Sequence, residues 1–278
     1  MQLFIESDPF FHFNPFPIET TNQLVAHWHE IVFFAILYHM IMLLAPIVNS
    51  KVFGKFYDDL KINDPQAKLN YDIRIVALFQ AVASVIFCIP MFLHPMYAED
   101  PVKGTYPFAG FVGSFTVGYF VWDLLYCCVF HFDLFGIEFL FHAFGALMVF
   151  GSTFFPFCQP FLCTFLIFEL STPFVQLHWM FTRSPKGMWS DKLITINGLF
   201  LIVAFFLVRI IWGVYATIKS FYLCWPERHH YPVWLIPVIF GLNGGFQFLN
   251  FMWFSKMIKI ATRSFTGGKK EKNDKKET

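Results

Sequence analysis

The stretch FELSTPFVQLHWMF, Phe168 to Phe181, sets a glutamate, a proline, a glutamine and a histidine inside a run of bulky apolar residues. A helix in lipid tolerates such residues only where they face protein or water, because a charge at membrane depth costs roughly 2.5–3.5 kcal/mol on insertion scales. Pro173 adds to the demand, since it lacks an N–H and frees backbone carbonyls that hydrocarbon cannot satisfy. The stretch reads as a kinked, inward-facing part of a transmembrane helix, and a helix of that kind requires a bundle around it.

The rest of the chain supplies the bundle. Of 278 residues, 56% are hydrophobic and 14% charged, and 41 are phenylalanine, which excludes an ordinary soluble domain. Apolar runs near the roughly 20 residues needed to cross a bilayer fall at His27 to Val48, Ile73 to His94, Phe108 to Phe130, Leu134 to Phe155, Phe157 to Phe181, Leu193 to Trp225 and Val233 to Lys256. Barrel-type alternation is absent, so the expected fold is all-α: a polytopic membrane bundle of about seven transmembrane helices. The expected organisation is a lumenal segment over 1–26, a first helix over 27–48, a six-helix membrane domain over 73–263 and a disordered, basic cytosolic tail over 264–278. The opening MQLFIESDPF has neither a basic region nor a small-residue cleavage site, so the first helix is expected to insert uncleaved.

Basic residues set the expected orientation. Placing the C-terminus in the cytosol gathers Lys51, Lys55, Lys61, Lys68, Arg74, Arg183, Lys186, Lys192, Arg263 and the lysines from Lys256 onward on one face. The other face holds Lys103, Lys219 and Arg228. The N-terminus is then lumenal, with Trp28, Trp225 and Trp234 at that boundary and Trp179, Trp189 and Trp253 at the cytosolic one. The last four residues, KKET, place Lys275 and Lys276 where coat proteins read a dilysine retrieval address, implying the endoplasmic-reticulum membrane. A basic tail that binds anionic lipid is the alternative.

Depth sorts the polar residues. At ~1.5 Å per residue, Asp123, His142, Gln247 and Asn250 lie roughly 9–14 Å from the cytosolic ends of their helices. Glu138, His178 and Asn197 lie nearer the cytosol, Glu169 and Asn243 near mid-membrane, and Arg209 deeper. Glu138 and His142 share a helix face, so the carboxylate is placed to orient the imidazole. Those are the parts of a general base, and Asp123 is a further candidate support; a satisfied core histidine is the plainer reading. Arg209 is the one basic residue deep enough to pair with Glu169, either to lock helices or to meet a ligand. Asn243, Gln247 and Asn250 form a polar stripe that serves as interhelical glue or as ligand contacts.

Other chemistries find little support. His27 and His29 form an H-x-H pair without an evident third ligand, so no metal is expected. The histidine clusters of a di-iron desaturase and the phosphate-binding loop of a nucleotide enzyme are absent, and no nucleic-acid partner is implied. The six cysteines read as small hydrophobes, with Cys158 and Cys224 left open as a lumenal pair.

Four motifs then carry a resemblance: VGYFVWDLLYC (Val117 to Cys127), GIEFLFHAFGAL (Gly136 to Leu147), PFCQPFLCTFLIFELSTPFVQLHWMF (Pro156 to Phe181) and INGLFLIVAFFLVRIIWG (Ile196 to Gly213). Together they resemble the TLC domain of TRAM, Lag and CLN proteins, over roughly Arg74 to Arg263, and most of all its small fungal, non-synthase members. The resemblance implies an endomembrane protein whose helices surround a cavity, working in sphingolipid or phospholipid homeostasis. Ceramide synthases of the family carry paired histidines for acyl transfer; here Phe141 takes the first position and only His142 remains, which argues against ceramide synthesis. Asp123, His142, Glu169, Pro173, Asn197 and Arg209 match positions typical of the non-synthase branch.

Three functions follow as expectations. The first is a protein that binds or handles an amphipathic membrane lipid in an intramembrane cavity, with no cofactor. The second is a lipid acyltransferase with acyl-CoA as co-substrate and His142 as base or nucleophile. The third is a non-catalytic cargo receptor or scaffold.

Overall fold

The computed structural model of the protein describes residues 4–13 and 22–274, the side chains of Phe11 and of residues 264–274 aside. The KKET terminus lies outside the described residues. Among the described residues, seven helices are long and apolar enough to cross a membrane: Gln23–Phe53, Pro65–Phe92, Pro107–Val129, Ile137–Phe154, Pro160–Arg183, Asp191–His230 and Leu235–Arg263. They are called the first to seventh spans. The count matches the expectation, but the first, second and sixth spans begin before their apolar runs, because polar caps outside those runs start them.

Asn22 caps the first span, its side chain accepting from the N–H groups of Leu24 (3.0 Å) and Val25 (3.2 Å). Asp64 caps the second by accepting from Ala67 N–H at 2.9 Å, with Pro65 at the first helical position, where a missing N–H costs nothing. Ser190 does the same for the sixth through Leu193 N–H. The seventh continues as helical backbone to Asp274.

Contacts between spans close a ring. The second packs on the third, the third on the fourth, the fourth on the seventh, the seventh on the sixth, the sixth on the fifth, and the fifth back on the second. The first span stands outside this ring, laid against the second and third. It buries Phe34, Tyr38, Met42, Ala45 and Asn49, while Phe33, Ile36, Met40, Leu43 and Ile47 are exposed. A helix apolar on both faces, with one stripe packed and the rest bare, suits a position between protein and lipid.

Between the fourth and seventh spans the packing is reciprocal. A Cβ built on Gly145 would sit 2.8 Å from the Phe246 ring, and one on Gly245 would sit 2.7 Å from the Phe141 ring. Each span offers a gap for the other's phenylalanine. Since lipid supplies no hydrophobic drive for helix association, such close fit is what holds the pair. It also gives Phe141 a job in packing.

The connection between the first two spans is more ordered than a mixed-charge loop. A short helix, Lys55–Asn63, fills it, and Asp72 knots it to both spans. The buried Asp72 carboxylate accepts from Asn49 Nδ2 (2.8 Å), from Lys68 Nζ (2.8 Å) and from the Tyr57 hydroxyl. One buried charge is thus met by three donors, which is what a charge needs to persist there.

Candidate functional site

Three stretches that depart from regular α-helix shape the ring's interior. Asp123–Val129 and Phe206–Ile211 are widened π turns, and Ile167–Ser171 is a tightened 3-10 turn preceding Pro173. Asp123, Arg209 and Glu169 sit one on each. Such turns leave carbonyls imperfectly paired, and the sequence supplies a donor: Gln247 Nε2 reaches the carbonyl of Arg209 at 3.1 Å. Where a kink is expected in the fifth span, near Pro173, the structure has this 3-10 turn.

A cavity of about 60 Å³ opens among the third to seventh spans. Glu169, Arg209, His142, Asn243 and Asn250 all reach its wall, from four different spans, in a lining otherwise dominated by Phe120, Phe246, Trp253 and other apolar residues. Beyond Val149, Phe150, Phe165 and Asn243, which line both, lies a second cavity of about 40 Å³ that extends to Ser152, Thr153 and Cys224.

Arg209 organises the first cavity. Its guanidinium is almost fully buried and donates from Nε to Ser171 Oγ (2.9 Å) and from Nη2 to Thr172 Oγ1 (3.1 Å). Glu169 Oε1 stands 3.9 Å from Nη2, so the expected pair exists but is loose. The rings of Phe205 and Phe168 lie 5.3 and 5.9 Å from the guanidinium carbon, adding cation–π attraction. A cation held by neutral hydroxyls and ring faces, with its carboxylate at arm's length, keeps positive potential available to an anionic guest.

His142 does not receive the carboxylate assigned to it. Glu138, though four residues earlier, turns to the seventh span and accepts from Trp253 Nε1 (3.3 Å) and Lys256 Nζ (3.4 Å). The imidazole is surrounded by Phe120, Phe246 and Trp253, with ring centroids 5.6 to 6.0 Å away. Shared helix face does not fix a side chain's counterpart when a neighbouring helix offers two donors. Trp253 accordingly packs at the cavity instead of serving only as an interfacial anchor.

Other expected residues work as connectors. Asn197 Nδ2 donates to Phe174 O at 3.0 Å, tying the sixth span to the fifth. Asn243 Oδ1 accepts from Thr217 Oγ1 at 3.1 Å while lining both cavities, and Gln247 faces the sixth span rather than the cavity. His178 packs 3.2 Å from where a Gly198 Cβ would be and leaves the cavity to others. Asp123 is likewise absent from the wall. The Cys158 and Cys224 sulfurs lie 3.3 Å apart.

The fold gives the H-x-H pair acidic neighbours that the sequence reading does not supply. Glu30, one turn after His27, accepts or shares a proton at 2.9 Å from Nδ1, and Asp8 approaches from the N-terminal segment, 3.9 Å from the same nitrogen. Burial and the charge of Glu30 push the Asp8 carboxyl up to about 6 against the pull of its Phe10 N–H bond. The signal available in the sequence was the i, i+3 pair of His27 and Glu30; the docking of Asp8 left none.

A ring of six helices long and apolar enough to span a membrane, with a flanking seventh and a polar-studded aromatic chamber inside, defines a polytopic membrane protein with an internal cavity. The TLC domain, shared by TRAM, LAG1 and CLN8 proteins, matches residues 70–259, which span the whole ring. The chain belongs to the TLC-domain family. It is 36% identical over 264 residues to the Saccharomyces cerevisiae "Topoisomerase I damage affected protein 4", covering 92% of each chain. It is also 30% identical to a TLC domain-containing protein of Schizosaccharomyces pombe, covering 90% of this chain and 83% of that one. With the Danio rerio "TLC domain-containing protein 4-B" it shares 31% identity over 60% of this chain and 62% of the other.

Proposed function

We propose that the protein acts in lipid homeostasis of the endoplasmic-reticulum membrane by holding an amphipathic lipid, a sphingolipid or phospholipid, within the ring. The observation that carries this reading is the convergence of Glu169, Arg209, His142, Asn243 and Asn250 on one aromatic-walled chamber. Membership of the TLC family supports a lipid setting.

Size refines the proposal. Small-molecule sites run to roughly 300–1,000 Å³, whereas the chamber offers about 60 Å³, room for the polar end of a lipid only. The second cavity shares Phe150 and Phe165 with the first. An acyl chain with its headgroup at Arg209 would turn those two rings aside and run from one cavity into the other. The acyl-CoA-dependent alternative draws less support, because His142 has aromatic neighbours where a general base needs a carboxylate or an acceptor.

Lysine placement supports a cytosolic side for the end of the seventh span. The central test is mass spectrometry of lipids retained by the purified protein. One lipid class enriched over the bulk membrane extract, and lost in Glu169→Gln or Asn250→Ala at unchanged abundance, is expected. Retained lipid identical in composition to the bulk extract sinks the proposal. His142→Ala that keeps the bound lipid and restores the lipid profile of cells lacking the protein removes acyl transfer through that imidazole.

A further inference from the structure

The cluster at the start of the first span lies apart from the chamber and has the chemistry of a metal site. Asp8, His27 and Glu30 each offer one ligand atom, all within 4.8 Å of one another. Their side chains are 5%, 8% and 0% exposed. A tetrahedral zinc site with bonds of about 2.0–2.2 Å sets its ligand atoms about 3.4 Å apart. His27 Nδ1 stands 2.9 Å from Glu30 Oε1 and 3.9 Å from Asp8 Oδ2, on either side of that spacing.

Independent features point to a guest. The second oxygen of Glu30 and both ring nitrogens of His29 are buried and have no hydrogen-bond partner among the described residues. His29 Nε2 is 3.7 Å from Glu30 Oε1, near enough to the trio to be a candidate fourth ligand. Buried polar atoms left unmet cost on the order of 1–3 kcal/mol each, and a cation here would meet them together. Asp8 is also pre-aimed: its Oδ1 accepts Phe10 N–H at 2.7 Å, which leaves Oδ2 for the cluster. The N-terminal segment that carries it is fastened by Phe108 N–H on Glu6 O (3.2 Å) and by His94 Nε2 with Glu6 Oε2 (2.7 Å). Finally, the third span makes room for the imidazole with Gly110, where any Cβ would fall 2.1 Å from His27 Nε2.

We propose that Asp8, His27 and Glu30, with His29 as a candidate fourth ligand, form a site for a divalent transition metal of the zinc type. The nitrogen and oxygen donors favour zinc over the alkaline-earth cations, which prefer all-oxygen shells. The bound ion would staple the N-terminal segment to the first span. It does not touch the chamber, so the proposal stands or falls independently of lipid binding.

The test is zinc binding by the full chain, purified in detergent with a tag free of histidine, stripped with chelator and titrated with Zn²⁺ in excess Mg²⁺. One zinc per chain is expected, with a rise in melting temperature on loading. Asp8→Asn and Glu30→Gln are each expected to weaken binding at least tenfold. Gly110→Ala, which removes no ligand, is expected to weaken it by displacing His27. His230→Ala serves as a control for the exposed His230–Glu227 pair (3.1 Å) and leaves binding unchanged. X-ray absorption of the loaded wild type should report only nitrogen and oxygen neighbours, which keeps the proposal testable should Glu30→Gln fail to fold. Wild-type affinity in Asp8→Asn, sulfur in the zinc shell, binding abolished by His230→Ala, or no zinc at all would each overturn it, the last leaving a trio that merely shares protons.

Discussion

Arg209 shows how a buried charge persists in a membrane without a close counter-ion. Its two hydroxyl acceptors, on Ser171 and Thr172, do more of the holding than Glu169 does. Hydrogen bonds to a charged group are worth about 1.5–3 kcal/mol each. Glu169→Gln should therefore destabilise by only about 1 kcal/mol, and Arg209→Met, which strands a half-buried carboxylate, by about 3 kcal/mol. Thermal unfolding in one detergent checks the order, and the reverse order would show that the ion pair dominates. At the same scale, the sulfurs of Cys158 and Cys224 are close enough to join. Mild chemical oxidation, which takes two electrons and two protons from the thiols, should link these two and leave Cys88 and Cys163 free, as peptide mapping without reductant would show. The cost of facing lipid made Glu169 and Arg209 legible in the sequence as inward-facing, although depth along each helix set them and His142 in different layers. It did not reveal what Glu138 touches, because Trp253 and Lys256 lie over a hundred residues away and only helix packing brings them near.

At the scale of elements, the seam between the fourth and seventh spans rests on two glycine gaps filled by two phenylalanines. Overpacking a fitted interface costs about 1–3 kcal/mol. Gly145→Leu should destabilise by that amount, because the Phe246 ring already occupies the space. Gly245→Ala should cost less, and Phe141→Leu should recover part of the loss in the double variant, a coupling that a double-mutant cycle on melting data measures directly. If the two substitutions simply add, the rings do not fit as described. The spans themselves were readable from apolar runs, but the starts capped by Asn22, Asp64 and Ser190 lie ahead of those runs and became evident only in the structure. The π and 3-10 turns had one herald, Pro173; Asp123–Val129 and Phe206–Ile211 contain neither proline nor glycine and gave no local sign.

At the scale of the molecule, the ring's contents govern what it admits. Phe165 stands between the two cavities. Phe165→Leu is expected to increase the lipid retained on purification, or to shift it to longer chains, without altering the headgroup class. A change of headgroup with unchanged chain length would place the lipid some other way round. The closed order of the spans was beyond any reading of the sequence, since apolar runs announce crossings and not neighbours. The inward side of the polar residues was within it, since lipid forbids the alternative.

The first helix leans on that ring from outside, and the matched domain begins only at residue 70, inside the second. Architecture of this kind is modular: the enclosure is complete before the leading helix is counted. A chimera that keeps the enclosure but borrows its opening helix from a cousin should still assemble around the same guest, while inheriting the donor's own arrangement of groups at the amino-terminal rim.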